Sequence, residues 1–215
     1  MVLKTKTNKY HMKTRIICIL DRSSSMFSII DESIEGFNTF LLEQQKINSK
    51  QDTIKIIFFD SVVNTVYDGK LNALEPFNEK SYAPRGTTAL YDGIGNAIDD
   101  ELDFLAEDPM NRVDKTLVVI LTDGEENSSV IYHQQLIKRK IKEMEEEFSW
   151  KFIFLAANQD AVFTAQSFGI SSGSALNFTA DSDGVANVYH TISKATTHYR
   201  TTTNEDYSNI LKDNE

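Results

Sequence analysis

The residues of this sequence that could do chemistry gather in three short stretches. The first is Asp21-Arg22-Ser23-Ser24-Ser25, one carboxylate and three hydroxyls within five residues. The second is Gly86-Thr87-Thr88, and the third is Thr122-Asp123-Gly124 with Glu125 and Glu126 beside it. Side chains of this kind suit a hard cation, which prefers oxygen ligands. They suit helix entry equally well, because Asp, Ser and Thr are favoured N-caps. Taken alone, the first stretch supports either reading, and Thr88 could cap a helix or turn its hydroxyl to a metal.

What positions these stretches is a repeated strand-turn-helix pattern. Ile16-Ile17-Cys18-Ile19-Leu20 leads into the first turn, and Lys115 to Leu121 leads into Thr122-Asp123-Gly124. Unbroken apolar runs of this length read as strands buried on both faces of a parallel sheet. Each acidic turn then lies at a strand's carboxyl end, where open α/β sheets bind ligands. Further strands are expected at Thr53 to Phe59, Trp150 to Ala156 and Ala175 to Phe178. Val62 to Tyr67 follows Asp60-Ser61 so closely that it reads as an antiparallel edge strand. Asp60 itself is either a turn residue or an acid standing behind the site.

Helical spacing runs from Met26 to about Lys46, with Phe27, Ile30, Ile34, Phe37, Phe40 and Leu41 on one face. Gly36 is out of place there. Other helices are expected from Leu90 to about Leu105, Tyr132 to Phe148, Asp160 to Phe168 and Val185 to Tyr199, the last capped by Asp181 and Asp183. The fold class is therefore α/β: three layers, doubly wound, Rossmann-like, with a mostly parallel central sheet and one antiparallel edge strand. Residues 1–13 read as a flexible basic arm, 14–200 as one domain, and 201–215 as a polar, frayed tail.

Composition removes several classes. A net charge of −10, from 32 acidic and 22 basic residues, argues against a nucleic-acid partner, which calls for a basic face. The single cysteine, Cys18, cannot form an internal disulfide, and no apolar run reaches the length of a membrane span. The N-terminus lacks the apolar segment of a secretory leader. These features point to a soluble, cytoplasmic protein.

Together the three stretches resemble the metal-ion-dependent adhesion site of von Willebrand factor type A domains. The correspondence rests on Asp21-x-Ser23-x-Ser25, Thr88 and Asp123, in that order along the chain. Gly36-Phe37-Asn38, Pro84 to Leu90 and Phe152 to Asn158 extend it towards the stand-alone bacterial and phage members. The resemblance implies that Ser23 and Ser25 ligate a metal through their hydroxyls. It implies that Asp21 and Asp123 bind it directly or through water, and that Thr88 joins when a partner is bound. Mg²⁺ suits so few charges, because it keeps several waters; Mn²⁺ or Ca²⁺ would use the same oxygens. The outside ligand implied is an Asp or Glu carboxylate of a partner protein. Ser24 departs from the family, which usually has Gly there. A positive φ at that position would strain the loop.

Competing signals are weaker. Gly169-Ile170-Ser171-Ser172-Gly173 matches a nucleophile-elbow pattern but follows a helix and precedes a strand, the reverse of what that motif requires. Asp181-Ser182-Asp183-Gly184 lacks the remaining ligands of a calcium loop. His133, His190 and His198 all fall on expected helices. A phosphotransferase or dinucleotide-binding turn after the first strand is excluded by Ser23 and by the missing glycines. The sequence thus favours a non-enzymatic protein-binding module. A scaffolding component with a structural metal is the alternative. A metal-dependent phosphohydrolase comes last, because only Glu125, Glu126 or Asp92 could supply a base.

Overall fold

Six strands form one sheet in the order β3-β2-β1-β4-β5-β6 in the computed structural model, which describes residues 12–47, 49–108, 110, 112–157, 160–202, 207 and 209–211. The strands are β1 (Thr14–Asp21), β2 (Thr53–Phe59), β3 (Val63–Lys70), β4 (Lys115–Thr122), β5 (Lys151–Ala157) and β6 (Ala175–Phe178). All neighbouring pairs are parallel except β2–β3. β1, β4 and β5, the strands expected in the middle, occupy interior positions. β3, with mostly exposed residues, forms one edge.

The helices are α1 (Ile30–Lys46), α2 (Leu90–Glu107), α3 (Gln134–Phe148), α4 (Ala161–Ser167) and α5 (Ser182–Thr201). Successive side chains of a strand face opposite ways, so β1 feeds two cores. Ile16, Cys18 and Leu20 pack with Phe37, Phe40 and Leu41 of α1 and with Tyr189 and Ile192 of α5. Ile17 and Ile19 pack with Ile94 and Ile98 of α2, Ile137 and Ile141 of α3 and Ala161 of α4. This is the three-layer arrangement expected from the sequence. Of the two acids expected to cap the last helix, Asp181 is the cap, accepting from the Gly184 N–H, while Asp183 lies in the first turn; Asp160 caps α4, accepting from the Phe163 N–H.

Gly36, anomalous as a helix residue, is explained by α5. A Cβ at this position would stand 2.2 Å from Cδ2 of Tyr189. The Tyr189 ring therefore lies directly on the α1 backbone, and the glycine sets the approach of the two helices.

Three expectations change. The segment after the first turn is a 3₁₀ helix, Ser24–Ser28, before α1 begins. A 3₁₀ turn advances three residues rather than 3.6, so the buried face shifts. Met26 is enclosed and Phe27, expected inside, is 65% exposed. His133 lies outside α3 and caps it. In the stretch expected to fray, the described residues Tyr207, Ile210 and Leu211 are buried. Leu211 N–H donates to the Gly173 carbonyl. The buried Lys115 ammonium donates to Tyr207 Oη at 2.9 Å and to the Tyr199 carbonyl, lying 4.7 Å and 4.9 Å from the Tyr199 and Tyr207 ring centres. Three apolar residues spread through a polar stretch carry no periodic signal, so sequence pattern could not place them. Of the expected N-terminal arm, residues 1–11 lie outside the described residues.

Replacing Gly36 by Ala should lower stability by about 1–3 kcal/mol through overpacking against Tyr189, although helix propensity alone favours Ala by about 1 kcal/mol. Urea unfolding of the variant decides the sign, and a gain in stability would overturn this account of the α1–α5 contact.

Candidate functional site

The chain leaves β1 towards β2 and β3 on one side and continues from β4 to β5 and β6 on the other. The loops after β1 and β4 therefore diverge, leaving a crevice at the carboxyl ends of adjacent parallel strands. Leu20 pairs with Leu121 in this register, which sets Asp21, the last residue of β1, beside Thr122. Thr122 Oγ1 donates to Asp21 Oδ2 at 2.6 Å. The other carboxylate oxygen, Oδ1, accepts from the Ser23 N–H at 2.7 Å. Ser23 Oγ and Ser25 Oγ are 2.9 Å apart, and Ser25 Oγ donates to Asp123 Oδ1 at 2.6 Å. Four of the five residues singled out in the sequence thus form one continuous hydrogen-bonded chain.

Thr88 reaches the same place from α2's entry loop. A Cβ at position 124 would stand 3.3 Å from Thr88 Oγ1 and 3.4 Å from Ser25 Oγ. The bare backbone of Gly124 is what the two hydroxyls share. Thr88 is not the cap of α2: that position is Ala89, which has no side chain able to cap. The capping acceptor comes from the loop after β4, where Glu126 Oε2 accepts from the Tyr91 N–H at 2.9 Å. The Thr88 backbone is clamped to the same loop, donating to Asn127 Oδ1 at 2.9 Å and accepting from the Asn127 N–H at 3.0 Å.

The first and second loops are zipped together as well. Arg85 N–H donates to the Arg22 carbonyl at 2.8 Å, and Ser24 N–H to the Gly86 carbonyl at 3.2 Å. Asp60 ties both loops to β2. Its Oδ2 accepts from Arg22 Nη2 at 2.8 Å and Arg85 Nε at 2.9 Å, while its carbonyl accepts from the Ala89 N–H at 2.9 Å. Tyr82, fully buried, donates from Oη to the Asp21 carbonyl at 2.5 Å. Sequence reasoning left Asp60 open between turn and support; it does both. The roles of Glu126 and Tyr82 were missed. The only local signal was the polar density of Glu126-Asn127-Ser128-Ser129.

Electrostatically the crevice is short of positive charge. Burial pushes the Asp21 carboxyl up to about 6, against the lowering effect of its hydrogen bonds from Thr122 and Ser23, and the charge of Asp123 adds to the rise. Burial also raises Asp123. Arg22, the nearest cation in sequence, is committed to Asp60. Two desolvated carboxylates, three hydroxyls and a backbone cradle at Gly124 form a donor set that fits a hard divalent ion. No group of three or more His, Cys, Asp or Glu among the described residues is placed to hold a metal, so any ion here relies on the hydroxyls. Ser24 is not strained: among the described residues only Ser149 is a non-glycine with positive φ.

The candidate bases are otherwise employed. Glu126 also accepts from the Ser128 and Ser129 N–H groups and from Ser129 Oγ. Asp92 accepts from the N–H groups of Val130, Ile131 and Tyr132. Both carboxylates hold the loop after β4 against α2, which is a structural duty. Glu125 is exposed to solvent.

No family model matches the sequence, and no curated protein does either. Solved structures share the fold. Proximal thread matrix protein 1 from the mussel byssus, in a form with a zinc-occupied MIDAS motif, aligns with a TM-score of 0.62 at 15% identity, over 86% of this chain and 48% of that one. The pilus adhesin SpaC from Lactobacillus rhamnosus GG aligns with a TM-score of 0.65 at 14% identity, over 89% of this chain and 31% of that one. VWA2, an ArnB paralog from Sulfolobus acidocaldarius, gives 0.55 at 16%, over 86% and 46%. The chain spans about half the length of the matrix protein or less than half of the others. At these identities the likeness is one of fold: this chain has a von Willebrand factor A-like fold.

For Asp60, burial pushes the carboxyl up, but hydrogen bonds from Arg85, the Val62 N–H and Arg22 outweigh it and hold the group below its ordinary value. A depressed folded-state value stabilises the fold above the unfolded pKa of about 3.9, and that contribution is lost as pH falls through the folded value. Asp60→Asn should cost about 2 kcal/mol at pH 7 without divalent ions, with the gap from wild type closing below about pH 4. Urea titrations at a series of pH values read this directly; a gap that persists unchanged into acid would exclude the ion-pair origin.

Proposed function

We propose that this chain is a non-catalytic protein-binding module that uses a divalent ion, Mg²⁺ by preference, to take a carboxylate from a partner. Asp21, Ser23, Ser25, Thr88 and Asp123 would hold the ion. The observation that carries this reading is the hydrogen-bonded chain from Asp21 through the Ser23 N–H and the Ser23 and Ser25 hydroxyls to Asp123, set in the crevice at the sheet's switch point. When bound, the ion would supply a coordination position open to an outside Asp or Glu. The residues do the rest. Asp21, locked by Thr122 and the Ser23 N–H, supplies charge from below. Ser25, on the exposed rim, stands where an incoming ligand arrives. Thr88 is poised across Gly124 to follow it.

A second reading, a structural or scaffolding component in which the ion mainly ties loops together, has its own support. The loops are already cross-linked through Asp60, Arg22 and Arg85. The fold relatives include a protein named as a thread matrix component and others named as pilus proteins, which leans the comparisons towards assembly. The two readings share the ion and differ in whether a carboxylate closes its shell. Residues 14–200 would act as one domain. Its one cysteine is buried, and no helix among the described residues is long and apolar enough to cross a membrane.

Calorimetric titration with Mg²⁺ tests the site. Asp21→Ala should abolish binding and Ser24→Gly should leave it intact; unchanged affinity in Asp21→Ala would sink the assignment. Thr88→Val separates the two readings. Because Ala89 and Glu126, not Thr88, govern the start of α2, the variant should melt within a few degrees of wild type, a shift of about 1 kcal/mol or less. A module that closes on a carboxylate should at the same time lose Mg²⁺-dependent affinity for acetate or an Asp-containing peptide. A pure scaffold should show no Mg²⁺-dependent carboxylate binding even in the wild type.

A further inference from the structure

Beside the loop that carries Asp123 and Gly124 lies a cleft of about 340 Å³. One wall is Glu125 and Glu126, the other is Asp160 with Phe163 at the start of α4, and Tyr91 and Phe168 line the interior. Among the described residues, no lysine or arginine lines it. Phe163 is 70% exposed although it sits on a helix whose other face is core, while Tyr91 and Phe168 meet edge-to-face with ring centres 5.7 Å apart. An exposed aromatic in one cleft with an edge-to-face aromatic pair and three carboxylates has the chemistry of a cation receptor. Aromatic faces and carboxylates both attract an ammonium or guanidinium group, and the apolar walls take the aliphatic stem of a Lys or Arg side chain.

The geometry points to a bipartite partner: a segment whose Asp or Glu goes to the ion site and whose nearby Lys or Arg side chain lies in this cleft. The inference rests on the proposed carboxylate-binding reading for its first half; the cleft itself stands independently. Charge argues for the pairing. A chain of net charge −10 repels a partner that brings only carboxylates, whereas a segment with both signs is steered in by the surface and sorted by the ion. A purely acidic or purely apolar segment would leave Glu125 facing like charge or a desolvating side chain.

The test uses amide NMR of the full chain with two probes of nearly equal shape, N-acetyl-arginine amide and its neutral analogue N-acetyl-citrulline amide. The arginine probe should cause saturable shifts at the amides of Tyr91, Glu125 and Phe163, with an affinity at least about fivefold above that of the citrulline probe, the effect of one exposed ion pair. Glu125→Lys should abolish the difference. Glu35→Lys, the same charge change on the far helix α1, should preserve it. Phe163→Ser, on an exposed position, should weaken the arginine probe while the rest of the spectrum stays folded. Equal response to both probes, or no shift at those amides, overturns the cleft assignment. Mg²⁺ alone is titrated in parallel. Shifts at Ser23, Ser25 and Gly124 are expected from the ion site. Their absence alongside intact cleft shifts would overturn the bipartite partner through its ion half while leaving the cleft receptor standing.

Discussion

The hydrogen bond from Thr122 to Asp21 crosses the seam between the two central strands, and the upper half of the molecule depends on it. It exists only because β1 and β4 pair in parallel with Leu20 opposite Leu121. A slip of one residue would turn the slipped strand's side chains to the opposite cores, since successive side chains face opposite ways. The two cores therefore fix the register, the register fixes Asp21 against Thr122, and Asp21 in turn anchors the Ser23 N–H and starts the line of hydroxyls. Burial of this carboxylate is unfavourable in itself. Three partners, Thr122, the Ser23 N–H and Tyr82 at the Asp21 carbonyl, keep the turn in place while leaving the crevice open above it.

Around that seam the loops support one another through side-chain to backbone bonds. Asp60 accepts from the guanidinium groups of Arg22 and Arg85, and Glu126, Asp92 and Asn127 each satisfy amides on a segment distant in sequence. Such bonds are made where a loop has no ladder partner and its polar groups would otherwise go unmet. The opposite end of the sheet is held differently, by buried ion pairs. Arg200 donates to Asp52 at 2.6 Å with both side chains fully enclosed, and Arg15 bridges Glu101 and Asp68. Pairs of this kind add little net stability but penalise misaligned alternatives strongly, because a lone buried charge is costly.

Much of this could be read from the sequence because it is local. Ile16 to Leu20 and Lys115 to Leu121 announce buried strands by composition alone. Asp21, Ser23 and Ser25 follow at a spacing that one turn brings together, and Asp123 repeats the arrangement one strand over. What could not be read is long-range. Glu126 looks like a surface acid until α2 is laid beside it, 35 residues away along the chain. Met26 replaces Phe27 in the core because a 3₁₀ turn, rather than an α-turn, follows Ser23, and nothing in Ser24–Ser28 distinguishes the two. Tyr207, Ile210 and Leu211 are held by Lys115 and Gly173, partners that no window of sequence contains. Gly36 was visible as an anomaly, but its cause, the Tyr189 ring, lies 153 positions later by subtraction of their numbers.

That last contact has a consequence for how such chains can change over time. Position 36 and position 189 are two ends of one steric statement, and neither can drift alone. A descendant that acquires a side chain at 36 must shed the ring at 189, or separate α1 from α5 and open the core beneath them. The two sites should therefore be inherited as a single character, glycine with a large aromatic or a bulkier residue with a small one, even where the residues between them have diverged beyond alignment.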